Sequence, residues 1–162
     1  MKHLNTYITE YIIKKKLDKP IDSEDHCIYF PETKEELISN IKELFDKGKT
    51  DLNSIDTSKI TDMTHLFESF NNIENVNFDV SKWDVSNVKD MTCMFGNCVK
   101  FKGKGLENWN VSKAEYMIRM FIGCDNFTGE QIENWKIKKD CSKFEMLSNC
   151  KNIKNKPSWY TK

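Results

Sequence analysis

The four tryptophans of this chain recur at an almost constant interval. They stand 26, 26 and 24 residues apart, at Trp83, Trp109, Trp135 and Trp159. Three of the cysteines keep the same 26-residue step, at Cys98, Cys124 and Cys150. A fixed period of this length is typical of repeat proteins in which each repeat forms one coil of a stack. The period therefore constrains the fold more firmly than any local propensity does.

Each repeat combines two hydrophobic patterns. Apolar and polar residues alternate from Trp83 to Ser86, which is the period of a strand with one buried face. Apolar residues then recur at helical spacing, at Val88, Met91, Met94, Phe95 and Cys98. We therefore predict an α/β solenoid of about four coils, each with a short strand and a short helix. The first coil is a weaker copy with Ile55 in the tryptophan position, and the tryptophans are predicted to belong to the core.

The residues before the repeat lack its period and predict a cap. Residues 1–53 form an N-terminal helix and solenoid cap in this interpretation, residues 54–155 the repeat solenoid and residues 156–162 a C-terminal lid. Residues 1–16 carry an apolar stripe at helical spacing, and residues 27–30 are a short strand candidate. Thr33 and Glu36 have the spacing of a capping box, which predicts a helix that Gly48 ends.

Composition excludes several classes of function. The chain has 25 basic and 25 acidic residues, so no excess of positive charge attracts nucleic acid. We expect no membrane span, because no apolar run approaches about 18 residues. The absence of a secretory signal pattern predicts a cytoplasmic location. The same absence predicts reduced cysteines that fill the core.

Metal, cofactor and catalytic sites are not predicted. The cysteines form no Cys-x-x-Cys pair and His65 does not share the period, so we expect no metal site and no cofactor. Cys93 lies on the predicted outer side and is the best candidate for a reactive thiol, although the sequence places no activating group beside it. No nucleophile triad, carboxylate pair or phosphate loop is present, which argues against an enzyme.

The segment from Trp83 to Phe95 resembles the repeat of BspA-like bacterial surface proteins, whose consensus is similar to W-D-V-S-N-V-x-x-M-x-x-M-F. The segment from Asp56 to Met63 resembles an earlier copy. The resemblance covers about residues 54–155. It implies a leucine-rich-repeat-like solenoid used for adhesion or protein binding, with no catalytic residues. The start of the chain also resembles small proteins of bacteriophages and mobile elements.

The leading functional hypothesis is a non-enzymatic module that binds a protein partner. Its candidate face consists of the polar residues that alternate with the buried ones, at Asp56, Ser58, Asp84, Ser86, Asn110, Ser112, Lys136 and Lys138. One alternative is a phage- or mobile-element-encoded effector or inhibitor acting in the host cytoplasm on a host or defence complex. Another is a self-assembling structural subunit, and the oligomeric state stays open.

Overall fold

A computed structural model describes residues 27–70 and 72–160 of the chain. Helix α1 spans Lys34–Asp46, and short 3₁₀ helices span Ile73–Asn75, Leu106–Asn108 and Glu130–Ile132. The predicted fold class, an α/β solenoid, is wrong. Within the described residues, the repeats contain neither an α-helix nor a continuous strand, and most of their backbone lies in turns.

The repeats nevertheless stack on one another. We name the first coil residues 55–82, the second coil 83–108, the third coil 109–134 and the fourth coil 135–158. Isolated parallel bridges join equivalent residues of neighbouring coils: Asp62 with Asp90, Asp90 with Tyr116, and Tyr116 with Ser142. Each bridge is a single pair rather than part of a ladder. Backbone pairing between coils therefore replaces a regular sheet.

The predicted helix of each coil fails at one backbone position. Residues at equivalent places adopt the left-handed conformation with φ of 52 to 53°, at His65, Cys93, Arg119 and Glu145. A left-handed residue cannot continue a right-handed helix. The Cys93 N–H accordingly donates to Ile118 O of the next coil at 2.9 Å, and Met94 N–H donates to Met91 O in a tight turn at 3.1 Å. The apolar spacing was interpreted correctly as a buried face but wrongly as a helix.

The predicted strand fails because polar side chains close turns there. The Ser86 N–H donates to Asp84 Oδ1 at 2.9 Å, and the Val88 N–H donates to Val85 O at 3.0 Å. Both N–H groups are therefore used within their own coil instead of pairing with a neighbouring coil. The alternation itself is confirmed, since Trp83 and Val85 are buried and Asp84 is exposed.

Aromatic rings fill the interior of the stack. Phe95 lies 5.3 Å from Phe67 in the first coil and 5.3 Å from Phe121 in the third, with nearly parallel planes. Phe101 adds a second stacked ring 4.4 Å from Phe95. The 5.3 Å distances match the spacing of hydrogen-bonded backbones in neighbouring coils, about 4.8 Å. The buried rings and the backbone bonds therefore share one register.

The tryptophans also belong to the core, as predicted. Trp83, Trp109 and Trp135 are at most 5 % exposed, and Trp159 is half-buried. Each indole Nε1–H donates to a backbone carbonyl 27 to 31 residues earlier in the chain, as in Trp109 to Val80 O at 3.2 Å. A buried indole needs such an acceptor. The tryptophan ladder thus joins the coils by polar and apolar contacts together.

Helix α1 covers the first coil. The predicted start of this helix is confirmed, because Thr33 caps it by accepting the Glu36 N–H on Oγ1 at 3.2 Å, while the Glu36 carboxylate accepts from Glu32 N–H. The predicted stop also holds, since Gly48 follows the helix with φ of 71°. The Phe45 ring packs edge-on against Phe70 at 5.4 Å. The helix thus adds its apolar face to the core of the stack.

Of the three predictions about the ends of the chain, two stay predictions, and the continuous strand at residues 27–30 is wrong. The helix predicted in residues 1–16 lies outside the described residues. The strand predicted in residues 27–30 is reduced to one bridge, between Tyr29 and Ile55. The division into a cap, a repeat region and a C-terminal lid at residues 53 and 155 is not tested by these contacts.

Candidate functional site

The predicted binding row lies at the surface, but three of its eight side chains close turns. Asp56, Asp84 and Asn110 each accept the backbone N–H of the residue two positions later. Those later residues are Ser58, Ser86 and Ser112, at 3.0, 2.9 and 3.2 Å. This geometry is an Asx turn, which asparagine and aspartate form equally well. The side chains of Asp56, Asp84 and Asn110 therefore shape the first three coils as well as lying at the surface.

The fourth coil differs from this pattern. Lys136 and Lys138 stand at the Asx and serine positions and are exposed. A lysine has no acceptor oxygen and cannot close an Asx turn. The basic end of the predicted row consequently has no equivalent role in shaping its coil, and its charge is directed to solvent.

Sequence reasoning missed a second row of residues, which runs through the left-handed positions His65, Cys93, Arg119 and Glu145. In the first two coils the residues beside this row are polar, with Thr64 and Thr92 in equivalent places. In the last two coils the same place is taken by Ile118 and Phe144. The change from threonine to a large apolar residue was visible in the aligned repeats and is the signal that could have revealed the surface.

Beside this second row, the third and fourth coils carry exposed aromatic side chains. We name Tyr116, Ile118 and Phe144 the aromatic patch. Tyr116 is 47 % exposed and Phe144 is 62 % exposed, unlike the buried phenylalanines of the core. The Arg119 guanidinium lies 6.0 Å from the centre of the Phe144 ring, within cation–π range. Large exposed apolar side chains beside an arginine are typical of protein interaction sites.

The aromatic patch is held by backbone bonds between coils. Met117 N–H donates to Ser142 O at 2.8 Å, and Arg119 N–H donates to Phe144 O at 2.9 Å. The Arg119 side chain also donates through Nε to Glu145 Oε2 at 2.6 Å. The side chains of the patch therefore project from a backbone fixed on both sides by neighbouring turns.

A cluster of unlike titratable groups lies at the N-terminal end of the same row. His65 Nδ1 is 2.6 Å from Glu68 Oε2, and Cys93 of the next coil stands beside them. One atom from each of the three residues lies within 4.8 Å of the others. Burial raises the pKa of the Cys93 thiol, and the negative charge of Glu68 raises it further. This shift agrees with the prediction that nothing nearby activates the Cys93 thiol, although the sequence did not reveal that His65 and Glu68 lie beside it.

The ladder of small cysteines is structural, as predicted from its period. Cys98 and Cys124 are fully buried, and the Cys124 thiol donates to Phe95 O at 2.9 Å. Burial raises the pKa of both thiols, and it raises the pKa of the half-buried Cys150 to about 11. A thiol that holds its proton is a poor nucleophile. These side chains fill space and donate to backbone oxygens.

The fold and its surface define a protein of stacked repeats. The chain belongs to the family described as "Mycoplasma protein of unknown function, DUF285", whose sequence profile matches residues 37–160. This family is related to BspA-like repeat proteins. Neither a curated protein nor a solved structure matches the chain. The helices in the described ranges also lack the combination of length and apolar character that crossing a membrane requires.

Proposed function

We propose that this protein is a non-enzymatic protein–protein interaction module. The observation that carries the proposal is the aromatic patch, where Tyr116 and Phe144 are exposed beside Arg119 on an otherwise well-buried apolar framework. Tyrosine and arginine are enriched among the residues that dominate binding energy. A finer likeness to the BspA-like repeat, which the sequence suggests, agrees with a role in binding.

The rigidity of the backbone favours binding at this patch. Side chains that are already ordered lose less conformational entropy when a partner docks. The bonds from Met117 and Arg119 to the fourth coil hold the patch before any partner arrives.

The charge of the fourth coil defines the partner's chemistry. Residues 55–80 contain one lysine and five acidic residues, whereas residues 135–151 contain five lysines and two acidic residues. A partner that presents an apolar side chain surrounded by carboxylates is complementary to this end of the molecule. We therefore place the partner's contact on the third and fourth coils.

The double variant Tyr116→Ser, Phe144→Ser tests the patch. Affinity capture from producing cells, quantified by mass spectrometry, is compared with capture by the unaltered protein. The matched control is Ile28→Ser, which removes an apolar side chain that is 61 % exposed at the other end of the structure. Proteins that bind at the patch are lost with the double variant and retained with the control. Equal capture by all three chains would contradict the proposal.

The polar row from Asp56 to Lys138 is the second surface to test. The double variant Asp84→Asn, Lys136→Glu changes the charge of the row but keeps an acceptor for the Ser86 N–H, as Asn110 does for Ser112. If the row contributes to binding, capture weakens while the melting temperature stays unchanged. Unaltered capture would restrict binding to the aromatic patch.

The remaining sequence-based hypotheses keep their own tests. An effector or inhibitor of a host or defence complex would be identified by the proteins captured. We propose a cytoplasmic location for the protein. Self-assembly would be recognised by light scattering as a mass that rises with concentration. An interaction module with a separate partner predicts a constant mass at the same concentrations.

A further inference from the structure

The strongest unassigned feature is the group formed by His65, Glu68 and Cys93. It brings together an imidazole nitrogen, a carboxylate oxygen and a thiol sulfur within 4.8 Å of one another. These are the three kinds of ligand that Zn²⁺ uses in proteins. We propose that His65, Glu68 and Cys93 bind one Zn²⁺ ion that bridges the first and second coils.

Backbone bonds place the three ligands. The Glu68 N–H donates to His65 O at 3.2 Å, so both side chains leave the same turn of the first coil. The His65 N–H donates to Thr92 O at 2.9 Å, which fixes this turn beside Cys93. His65 and Cys93 occupy equivalent left-handed positions of adjacent coils. The stacking of the repeat therefore juxtaposes residues that are far apart in the sequence.

The absence of a side chain at one position makes room for the carboxylate. Gly96 lies opposite Glu68, and a Cβ on Gly96 would stand only 2.8 Å from Glu68 Oε1. The equivalent residues of the third and fourth coils are Ile122 and Ser148, which carry that carbon. The space that Gly96 leaves for the Glu68 carboxylate is therefore particular to the two coils that hold the three ligands.

The distances suit a metal after a small adjustment. Ligand atoms around tetrahedral Zn²⁺ stand about 3.5 Å apart, given bonds of about 2.0 to 2.3 Å. The His65–Glu68 contact of 2.6 Å must lengthen, while the other separations already lie within 4.8 Å. His65 and Glu68 have side chains that are 54 % and 38 % exposed, so rotation about their bonds is unobstructed by a packed core. Cys93 supplies the fixed ligand.

The neighbouring charges permit a cation. Asp90 and Arg119 are the other charged groups whose fields act on the Cys93 thiol. The Arg119 guanidinium is itself engaged by Glu145, with Nη2 2.6 Å from Oε2. Its charge is therefore partly neutralised on the side away from the site. Three protein ligands leave the fourth coordination position to water or to a residue of a partner.

Metal titration of the full chain under reducing conditions tests the site. Isothermal calorimetry measures Zn²⁺ binding, and Co²⁺ reports thiolate ligation through its charge-transfer absorption. We expect one tight equivalent, with loss of the band in Cys93→Ser and at least about tenfold weaker binding in His65→Gln and Glu68→Gln. The matched control Cys150→Ser removes a half-buried thiol far along the stack and retains both signals.

The folding of each variant is checked in chelator, where its circular dichroism and thermal melt must equal those of the unaltered chain. His65→Gln and Glu68→Gln alter exposed side chains and keep the test informative if Cys93→Ser unfolds. Excess Zn²⁺ should also raise the melting temperature of the unaltered chain and not that of His65→Gln. Absence of binding to the unaltered chain, or equal binding by His65→Gln, would overturn the proposal.

Discussion

The second and fourth coils have the same repeat pattern but different surroundings. The second coil lies between two others, and its Phe95, Cys98 and Phe101 are fully buried. In the fourth coil the equivalents Leu147, Cys150 and Ile153 are smaller or only partly buried. An interior coil gains apolar contacts on both faces, whereas a terminal coil gains them on one. The fourth coil is therefore less constrained, and it is the coil with the most lysines and an exposed phenylalanine.

Loss of a tryptophan should have the largest effect on stability, and that effect should differ between interior and terminal positions of the stack. Trp109 and Trp159 both donate Nε1–H to a carbonyl of an earlier coil, but Trp109 is 5 % exposed and Trp159 is half-buried. We expect Trp109→Ala to lower the free energy of unfolding by about 3–5 kcal/mol. Trp159→Ala should cost about half as much. Denaturant unfolding measures both, and equal losses would show that position in the stack does not matter.

Acid should weaken the joint between the first two coils. Burial would raise the pKa of Asp79, but hydrogen bonds from Lys104, Ser81 and Asn53 outweigh it and hold the pKa well below its usual range. A lowered carboxyl pKa stabilises the fold at neutral pH, and that contribution is lost as pH falls below about 4. Asp79→Asn should cost about 1–3 kcal/mol at pH 7.

The pH dependence provides the check. The stability difference between the unaltered chain and Asp79→Asn should shrink as unfolding is measured from pH 7 down to pH 3. The exposed pair of Lys151 and Asp125, which joins the third and fourth coils at 2.6 Å, is the comparison. Its removal by Lys151→Ala should leave stability unchanged within error, because exposed ion pairs contribute little. A constant difference for Asp79→Asn across pH would contradict the assignment.

The smallest effect concerns the turns. Asp84→Ala removes the acceptor for the Ser86 N–H in the second coil and should cost about 1 kcal/mol, whereas Asp84→Asn should be nearly neutral. Lys136→Ala, at the equivalent place in the fourth coil, should change stability by less than about 0.5 kcal/mol. Thermal melts rank the three variants. A loss in Lys136→Ala as large as that in Asp84→Ala would mean that the coils share the same turn requirement.

The sequence predicted most of the buried residues, although not Cys93, and it did not predict the backbone that they adopt. The spacing of Met91, Met94 and Phe95 fits a helix, and only the left-handed φ of Cys93 shows that the backbone turns instead. The residue types cysteine and arginine do not predict a left-handed backbone. Hydrogen bonds to the next coil stabilise that conformation, rather than a property of the residue itself. The capped helix α1 was predictable because its signals are local.

The candidate sites divide in the same way. The polar row could be predicted from alternation, yet the structural role of its Asp and Asn side chains became apparent only from their bonds to backbone N–H groups. The cluster of His65, Glu68 and Cys93 was hidden because its members are 28 residues apart at the widest and follow no motif. Sequence motifs for metal sites describe ligands that lie close together in the chain, whereas Cys93 comes from the coil after His65 and Glu68.

The period, most of the buried residues of each coil and the start and end of helix α1 follow from the sequence. Periodic burial and local caps depend on residue type and spacing, which are given directly by the sequence. Contacts between coils are needed to see that the coils are built from turns, that Tyr116 and Phe144 are exposed, and that a histidine lies beside a cysteine of the next coil. The reason is that each coil's backbone N–H groups are satisfied partly by its neighbours, so the conformation belongs to the stack rather than to the segment.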